Sequence, residues 1–230
     1  MMLTAKQVFD AFHEEGLLEE MIGPDNQILR FDAIENVTDS SLVFVYNADL
    51  ATQLIEVSPV VIVTHIGLAE VFSELPSTTI LTSRNVRLAQ ALIRQRFADY
   101  DHRDDGCPRI HASAVIHESA EIADDVVIGA GVVIGRNVRI GSASIIKANT
   151  VLEQDVSIGN ECLLHPSVVI ANGCEIGDRV ILKSGCVIGM EGFGFAQDEN
   201  GRSHRIPQTG KVILENDVLM GSHCNVCLLY

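Results

Sequence analysis

Proton transfer, nucleophilic attack and metal binding fall mostly to histidine, cysteine and paired carboxylates, and this chain of 230 residues has eight histidines and six cysteines. A histidine with a pKa near neutrality suits proton abstraction once a fixed neighbour orients its ring. His111, His117 and His165 each follow an aliphatic residue and read as solvated turn residues, whereas His204 lies on an interruption of the sequence rhythm and His223 close to the end. None shows an orienting partner in the sequence, so no catalytic residue is assigned. Cys224-x-x-Cys227 is a single pair without a second pair at zinc spacing, so no metal site is expected, and nothing in the sequence calls for a cofactor. The segment with the strongest ligand-binding character is Met190-Glu-Gly-Phe-Gly-Phe-Ala-Gln, where two aromatics stand among glycines.

Whatever chemistry these residues do, the elements that hold them are set by a repeat. Stepping by six from Ile110 meets Ile116, Ile122, Ile128, Ile134, Ile140, Ile146, Leu152, Ile158, Leu164, Ile170, Ile176, Leu182 and Ile188, aliphatic every time. Four residues after each of the first thirteen comes a small or β-branched residue, from Ala114 and Ala120 through Val180 to Cys186. Glycine often follows the aliphatic position, as at Gly129, Gly135, Gly141, Gly159, Gly177 and Gly189.

A period of six fits neither the 3.6-residue helix nor a plain alternating strand. It fits a coil with three flat walls, each hexapeptide giving one short strand and one corner, with Gly, Asn or Asp taking the turn dihedrals. Stacked coils then form a parallel β-helix with internal aliphatic ladders. Cys162, Cys174 and Cys186, twelve apart, fall on different walls as reduced packing thiols. The rhythm stops after Gly189 and resumes two residues out of phase at Leu214, Met220 and Val226, so 190–213 is an excursion from the coil.

The first hundred residues read as a small α/β domain. Thr4-x-x-Gln7 is a capping box for a helix that turns Val8, Phe9 and Phe12 inward. Apolar runs at Leu42–Tyr46, Val60–Val63 and Thr79–Leu81 predict buried strands, followed by helices near Ala48–Ile55, Gly67–Leu75 and Val86–Phe97. Residues 101–109 read as the linker, and 110–230 as the repeat domain.

Composition narrows the function. With 16 basic against 31 acidic side chains the net charge is −15, which argues against nucleic-acid binding. No apolar run approaches a membrane span and the first residues lack a signal-peptide layout, so a cytoplasmic protein is expected.

These residues resemble the UDP-3-O-acylglucosamine N-acyltransferases of lipid A synthesis. The sharpest match is Gly189-x-x-Gly-Phe-Gly-Phe-Ala followed by Arg205-Ile-Pro-Gln-x-Gly-x-Val212, similar to that family's signature loop. Phe44-Val-Tyr-Asn47 looks like its strand-end segment, in which an aromatic and an asparagine contact uracil. The resemblance implies an N-terminal uridine-binding α/β domain, a left-handed hexapeptide β-helix and a homotrimer. It also implies transfer of a 3-hydroxyacyl chain from acyl carrier protein to the 2-amine of UDP-3-O-acyl-glucosamine. On this basis the substrate-binding residues are Phe44, Asn47, Gly192, Phe193, Gly194, Phe195, Ile206, Pro207 and Gln208.

There are departures. Leu50 stands where the family usually has a second stacking tyrosine, and Ala48 where it has a proline. The family's general base is a histidine in a coil beyond the signature loop, so the chain is expected to be truncated before it. Two other readings stay open: an inactive or truncated remnant that binds sugar nucleotide as a trimer, and an acetyl-CoA-dependent sugar acetyltransferase.

Overall fold

The computed structural model describes residues 3–54, 57–102 and 108–229. The end of the expected helix at Ile55, the linker residues 103–107 with Cys107, and Tyr230 lie outside the described residues. The chain divides into two compact units, Met1–Tyr100 and Asp101–Tyr230.

Unit 1 is an α/β sheet with both faces covered. Strands Arg30–Phe31, Ser41–Val45, Val61–His65 and Thr79–Ser83 run parallel in that order, and Met21–Ile22 pairs antiparallel with the last. Alternate residues of the central strands feed two separate cores. Leu42, Phe44, Val61, Val63 and Leu81 pack with α1 (Ala5–His13) and α3 (Val86–Phe97). Val43, Val45, Ile62 and Ile80 pack with α2 (Ala48–Leu54) and with Phe72 and Leu75. The capping box forms as expected: Thr4 Oγ1 accepts from Gln7 N–H at 3.3 Å and Thr4 N–H donates to Gln7 Oε1 at 2.9 Å. The segment expected to be helical at Gly67–Leu75 is instead a 3-10 helix, Ile66–Phe72. Its side chains seat Phe72 under the sheet without a full α-turn ladder.

Unit 2 is a left-handed parallel β-helix of three walls. Its strands pair at a spacing of eighteen residues, as in Ile116↔Ile134↔Leu152↔Ile170↔Ile188. The second residue of each short strand points inward and the first outward, so the inward ladders merge into one core running from Val126 to Ile188. Burying one such Ile or Leu contributes about 1.5–3 kcal/mol. The first coil is looser, since Ile110 makes only an isolated bridge to Ile128. Cys162, Cys174 and Cys186 are buried free thiols on different walls.

The walls differ on the outside. One carries Val115, Val133, Val151, Val169 and Val187, and a second carries Val127, Ile145, Leu163, Ile181 and Leu219. The third is polar, with Glu121, Arg139, Ser157 and Glu175 before Ile213.

The corners show a division of labour that the repeat pattern conceals. Left-handed backbone recurs every six residues, but mostly at non-glycines: Asn137, Ala143, Asn149, Asp155, Glu161, Ser167 and Arg179, with φ between 55° and 63°. Gly129, Gly135, Gly141, Gly159 and Gly177 do not take it. They are glycine for room, because a Cβ on Gly159 would lie 2.5 Å from Asp178 Oδ1 and 2.6 Å from the Gly177 carbonyl carbon. The freed space admits a column of side-chain oxygens, in which Ser142 N–H donates to Asn160 Oδ1, Asn160 N–H to Asp178 Oδ1 and Asp178 N–H to Asn216 Oδ1, at 2.7–2.9 Å.

Urea unfolding followed by far-UV circular dichroism checks this division. Gly159→Ala is expected to lose about 1–3 kcal/mol through overpacking against backbone. Ala143→Gly is expected to gain up to about 1 kcal/mol by relieving left-handed strain. Equal effects in the two variants would show that room and dihedral are not separated.

Candidate functional site

The excursion is an antiparallel hairpin that leaves the wall at a register shift between Ile188 and Glu191. Ile170 pairs with Ile188 eighteen residues on, whereas Ile188 pairs with Val226 thirty-eight on, so twenty residues are inserted. Its limits are narrower than 190–213, because Glu191 still pairs with Leu228 and Ile213 already pairs with Glu175. Phe195–Gln197 pairs with Ser203–Arg205 to form the stalk.

Two polar clamps hold it. At the base, Gln208 is 8% exposed and its Oε1 accepts from Gly192 N–H at 2.7 Å. Gln208 N–H donates to Glu191 Oε1 at 3.3 Å, and Glu191 also pairs with Arg205. The Arg205 guanidinium, helped by the Gln208 N–H, holds the Glu191 carboxyl below its ordinary value. At the tip, Asp198 Oδ1 accepts from Asn200 and Arg202 N–H, and Oδ2 lies 2.9 Å from His204 Nε2. His204 thus has the fixed carboxylate neighbour that the sequence did not show, and it in turn is the main cause of a lowered Asp198 carboxyl.

Gly192, Phe193, Gly194, Phe195, Ile206, Pro207 and Gln208 are therefore brought together by one hairpin. Ile206 N–H donates to Gly194 O at 2.9 Å. Gly192 is glycine because a Cβ there would meet Leu228 O at 2.6 Å. Phe193 is 92% exposed and Phe195 48%, their ring centroids 4.7 Å apart, so they form an exposed apolar patch at the foot of the stalk and do not anchor the loop to the wall.

Unit 1 holds the other two expected residues, Phe44 and Asn47. Phe44 is 4% exposed, with the Arg94 guanidinium 5.7 Å from its ring centroid. Asn47 caps α2, its Oδ1 accepting from Leu50 N–H at 3.0 Å, which leaves the amide NH2 to donate outward. Leu50 packs partly buried beside the Val43, Val45 and Leu54 core. The exposed aromatic at this strand end is Tyr46, 37% exposed, whose hydroxyl donates to Gln90 Oε1. Burial raises the Tyr46 hydroxyl pKa despite Arg87 and Arg94 nearby, so it stays a donor at neutral pH.

The other histidines divide. His111 and His117 sit in matching corner turns, each Nδ1 accepting from the N–H of Ser113 or Ser119 at 3.1–3.2 Å. His165 is not the solvated turn residue expected. It stacks between Lys147 and Lys183 on successive coils, with Lys183 Nζ 3.2 Å from its Nε2 and the His102 ring at its edge. Burial first, then Lys183, His102 and Lys147, lower its pKa. The eighteen-residue spacing of 147, 165 and 183 was the available signal for this basic stack.

Among the described residues no group of histidine, cysteine and carboxylate side chains could hold a metal ion, and no helix is long and apolar enough to cross a membrane.

The repeat and the three-walled coil define the class, a hexapeptide-repeat protein with an α/β unit before the coil. A family model described as the GMPPB C-terminal domain matches residues 106–192. Across both units the chain is a homologue of proteins named UDP-3-O-acylglucosamine N-acyltransferase. The one from Methylococcus capsulatus is 45% identical over 244 residues, covering 98% of this chain and 64% of the relative. That from Anaeromyxobacter sp. (strain Fw109-5) is 45% identical over 162 residues, covering 68% of this chain and 45% of the relative. The chain thus spans about two thirds or less of the length of these relatives. Among solved structures, perosamine N-acetyltransferase from Caulobacter crescentus, in complex with CoA and GDP-perosamine, aligns at 21% identity with a TM-score of 0.40, covering 96% of this chain and 83% of that one.

Hydrogen exchange tests the base clamp. Gln208→Ala is expected to raise exchange at the Gly192 amide roughly five- to tenfold, the loss of one net hydrogen bond. Glu191 and Asp198 have lowered folded pKa values, so their contribution is fully present above their ordinary values of 4.5 and 3.8 and is lost as pH falls through the folded ones. Protection at Ile206, corrected for intrinsic rates, is therefore expected to fall in that acid range and not between pH 6 and 8.

Proposed function

We propose that this chain provides the acceptor-binding and assembly functions of an N-acyltransferase of lipid A biosynthesis. The reaction is transfer of a 3-hydroxyacyl group from acyl carrier protein to the 2-amine of UDP-3-O-acyl-glucosamine, in the cytoplasm. The amine nitrogen attacks the thioester carbon, the C–N bond forms, the amine loses a proton, and collapse of the tetrahedral oxyanion breaks the C–S bond and releases the thiol. A neutral histidine suits the proton removal and a backbone N–H the oxyanion. In this reading Asn47 serves the uridine end of the acceptor, a role that the core position of Phe44 denies that ring, and the hairpin residues Gly192–Phe195 and Ile206–Gln208 serve its acylated sugar.

The observation that carries the reading is 45% identity across 98% of the chain, extending through both units. The exposed Phe193 and Phe195 rings supply an apolar surface of the kind an acyl chain covers. The Lys147, His165 and Lys183 stack gives local positive charge to a chain of net charge −15, which favours an acidic carrier protein. His204 has an orienting carboxylate in Asp198, and its side chain is exposed.

Equilibrium binding tests the reading directly. UDP-3-O-acyl-glucosamine is expected to bind and to be displaced by UDP. Absence of binding removes the proposal; robust turnover abolished by His204→Ala or His223→Ala would show that the chain itself supplies the base.

The two apolar outer walls support a homotrimer, in which one wall of each copy meets a different wall of the next and the ring closes. Sedimentation equilibrium is expected to give three times the 25.0 kDa chain mass. Val133→Glu with Val169→Glu is expected to give monomers. A monomeric unmodified chain at micromolar concentration contradicts the assembly.

A further inference from the structure

The two faces of the unit 1 sheet are not covered alike at the edge strand Met21–Ile22. Met21 lies opposite Leu81 and packs into the core beneath α1 and α3. Ile22 lies opposite Ile80, on the other face, and is 47% exposed. On that face the chain after Val61–His65 crosses over as the 3-10 helix Ile66–Phe72 and a loop through Pro76. The crossover seats Phe72 and Leu75 in one core with Ile80 but stops short of Ile22. Between them lies a cavity of about 470 Å³, floored by Phe72, Leu75 and Ile80 and rimmed by Ile22 and Ile66. Its size is that of a small-molecule site.

The walls of this cavity are tied in place. On the edge-strand side Glu20 N–H donates to Thr82 Oγ1 at 3.0 Å and Glu20 O accepts from Thr82 N–H at 2.9 Å. Gly23 has a φ of 97°, and a Cβ there would lie 2.6 Å from Thr78 O, so glycine lets the edge strand close on the crossover loop. The loop itself is held by Thr78 Oγ1 donating to Pro59 O at 2.9 Å and Asn26 Nδ2 donating to Ser77 O at 2.6 Å. The charge of the lining is one-sided. Glu20 and Glu70 both face the cavity, no basic side chain does, and neither carboxylate meets a cation among the described residues. Arg84, on the neighbouring strand end, is taken up by Glu19.

We propose that this cavity binds a small organic cation, a primary ammonium group carried on a compact hydrocarbon body. The hydrocarbon covers the apolar floor, and the Glu20 and Glu70 carboxylates accept hydrogen bonds from the ammonium N–H groups. An anionic ligand is repelled by the same two carboxylates. A quaternary ammonium has no N–H to give and finds no aromatic cage, since Phe72 is the one aromatic side chain in the lining. None of these residues serves the acyl-transfer reading, and Asn47 follows a strand two places further across the sheet from Thr79–Ser83. The cation site therefore stands or falls independently of that reading.

Methyl NMR titration of the full chain with phenylbutylamine, phenylbutanol and phenylbutanoate tests it. The amine is expected to shift the Ile22, Ile66, Leu75 and Ile80 methyl signals with a dissociation constant of about a millimolar, as suits a ligand of this size. The alcohol and the acid are expected to bind about fivefold more weakly or less. Glu20→Gln together with Glu70→Gln is expected to weaken the amine about fivefold, the loss of two exposed ion pairs, and to leave the alcohol within about twofold. Ala69→Leu is expected to fill the cavity and abolish the shifts, and Ser73→Leu, at an exposed position of the lining, does the same should the first variant misfold. Glu74→Gln, outside the lining, is expected to change nothing. Equal affinity for amine, alcohol and acid overturns the cation site. So do methyl shifts that persist in folded Ala69→Leu and Ser73→Leu, and so does an absence of shifts at about ten times the expected dissociation constant.

Discussion

Each coil of unit 2 must return, after eighteen residues, to a position directly over the one before, and the rest of the unit is a consequence of that closure. Three corners per coil have to be taken in left-handed backbone. For most residues this costs about 1–2 kcal/mol. Asn, Asp and Ser ease it with short polar side chains, but Ala143, Glu161 and Arg179 do not, and they persist because neighbouring coils fix the corner from both sides. The inward aliphatic ladder supplies the stabilisation, and the glycine beside it lets the next coil descend to strand-pairing distance.

The same closure explains why a large loop is tolerated. The hairpin leaves the wall at a local register shift between Ile188 and Glu191, and the coil then resumes over the one before at Leu214, Met220 and Val226. It has its own hydrogen bonds, with a clamp at Gln208 and another at Asp198, and borrows little from the coil beneath. A stiff wall with a self-supporting stalk can present Phe193 and Phe195 to a partner without straining the core.

The periodic features could be read from the residues alone because they repeat. The aliphatic and small positions, the resumption at Leu214 and the capping box at Thr4 all depend on neighbours at fixed distances along the chain. What could not be read depended on distances between coils or across the sheet. Glycine after the aliphatic looked like a turn residue, yet its role is set by a backbone eighteen or more positions away. His165 looked solvated until Lys183 and His102 were placed around it. Asn47 was expected to contact uracil, but the start of α2 takes its side-chain oxygen, and Asp198 meets His204 only because the hairpin folds back.

The sealed interior has a chemical side. Cys162, Cys174 and Cys186 pack into one core from three different walls, and burial pushes the Cys162 and Cys174 thiols up, away from the reactive thiolate. An alkylating reagent can reach them only when rungs part. The prism therefore carries three internal clocks, each timing how often its own stretch of coil breathes open.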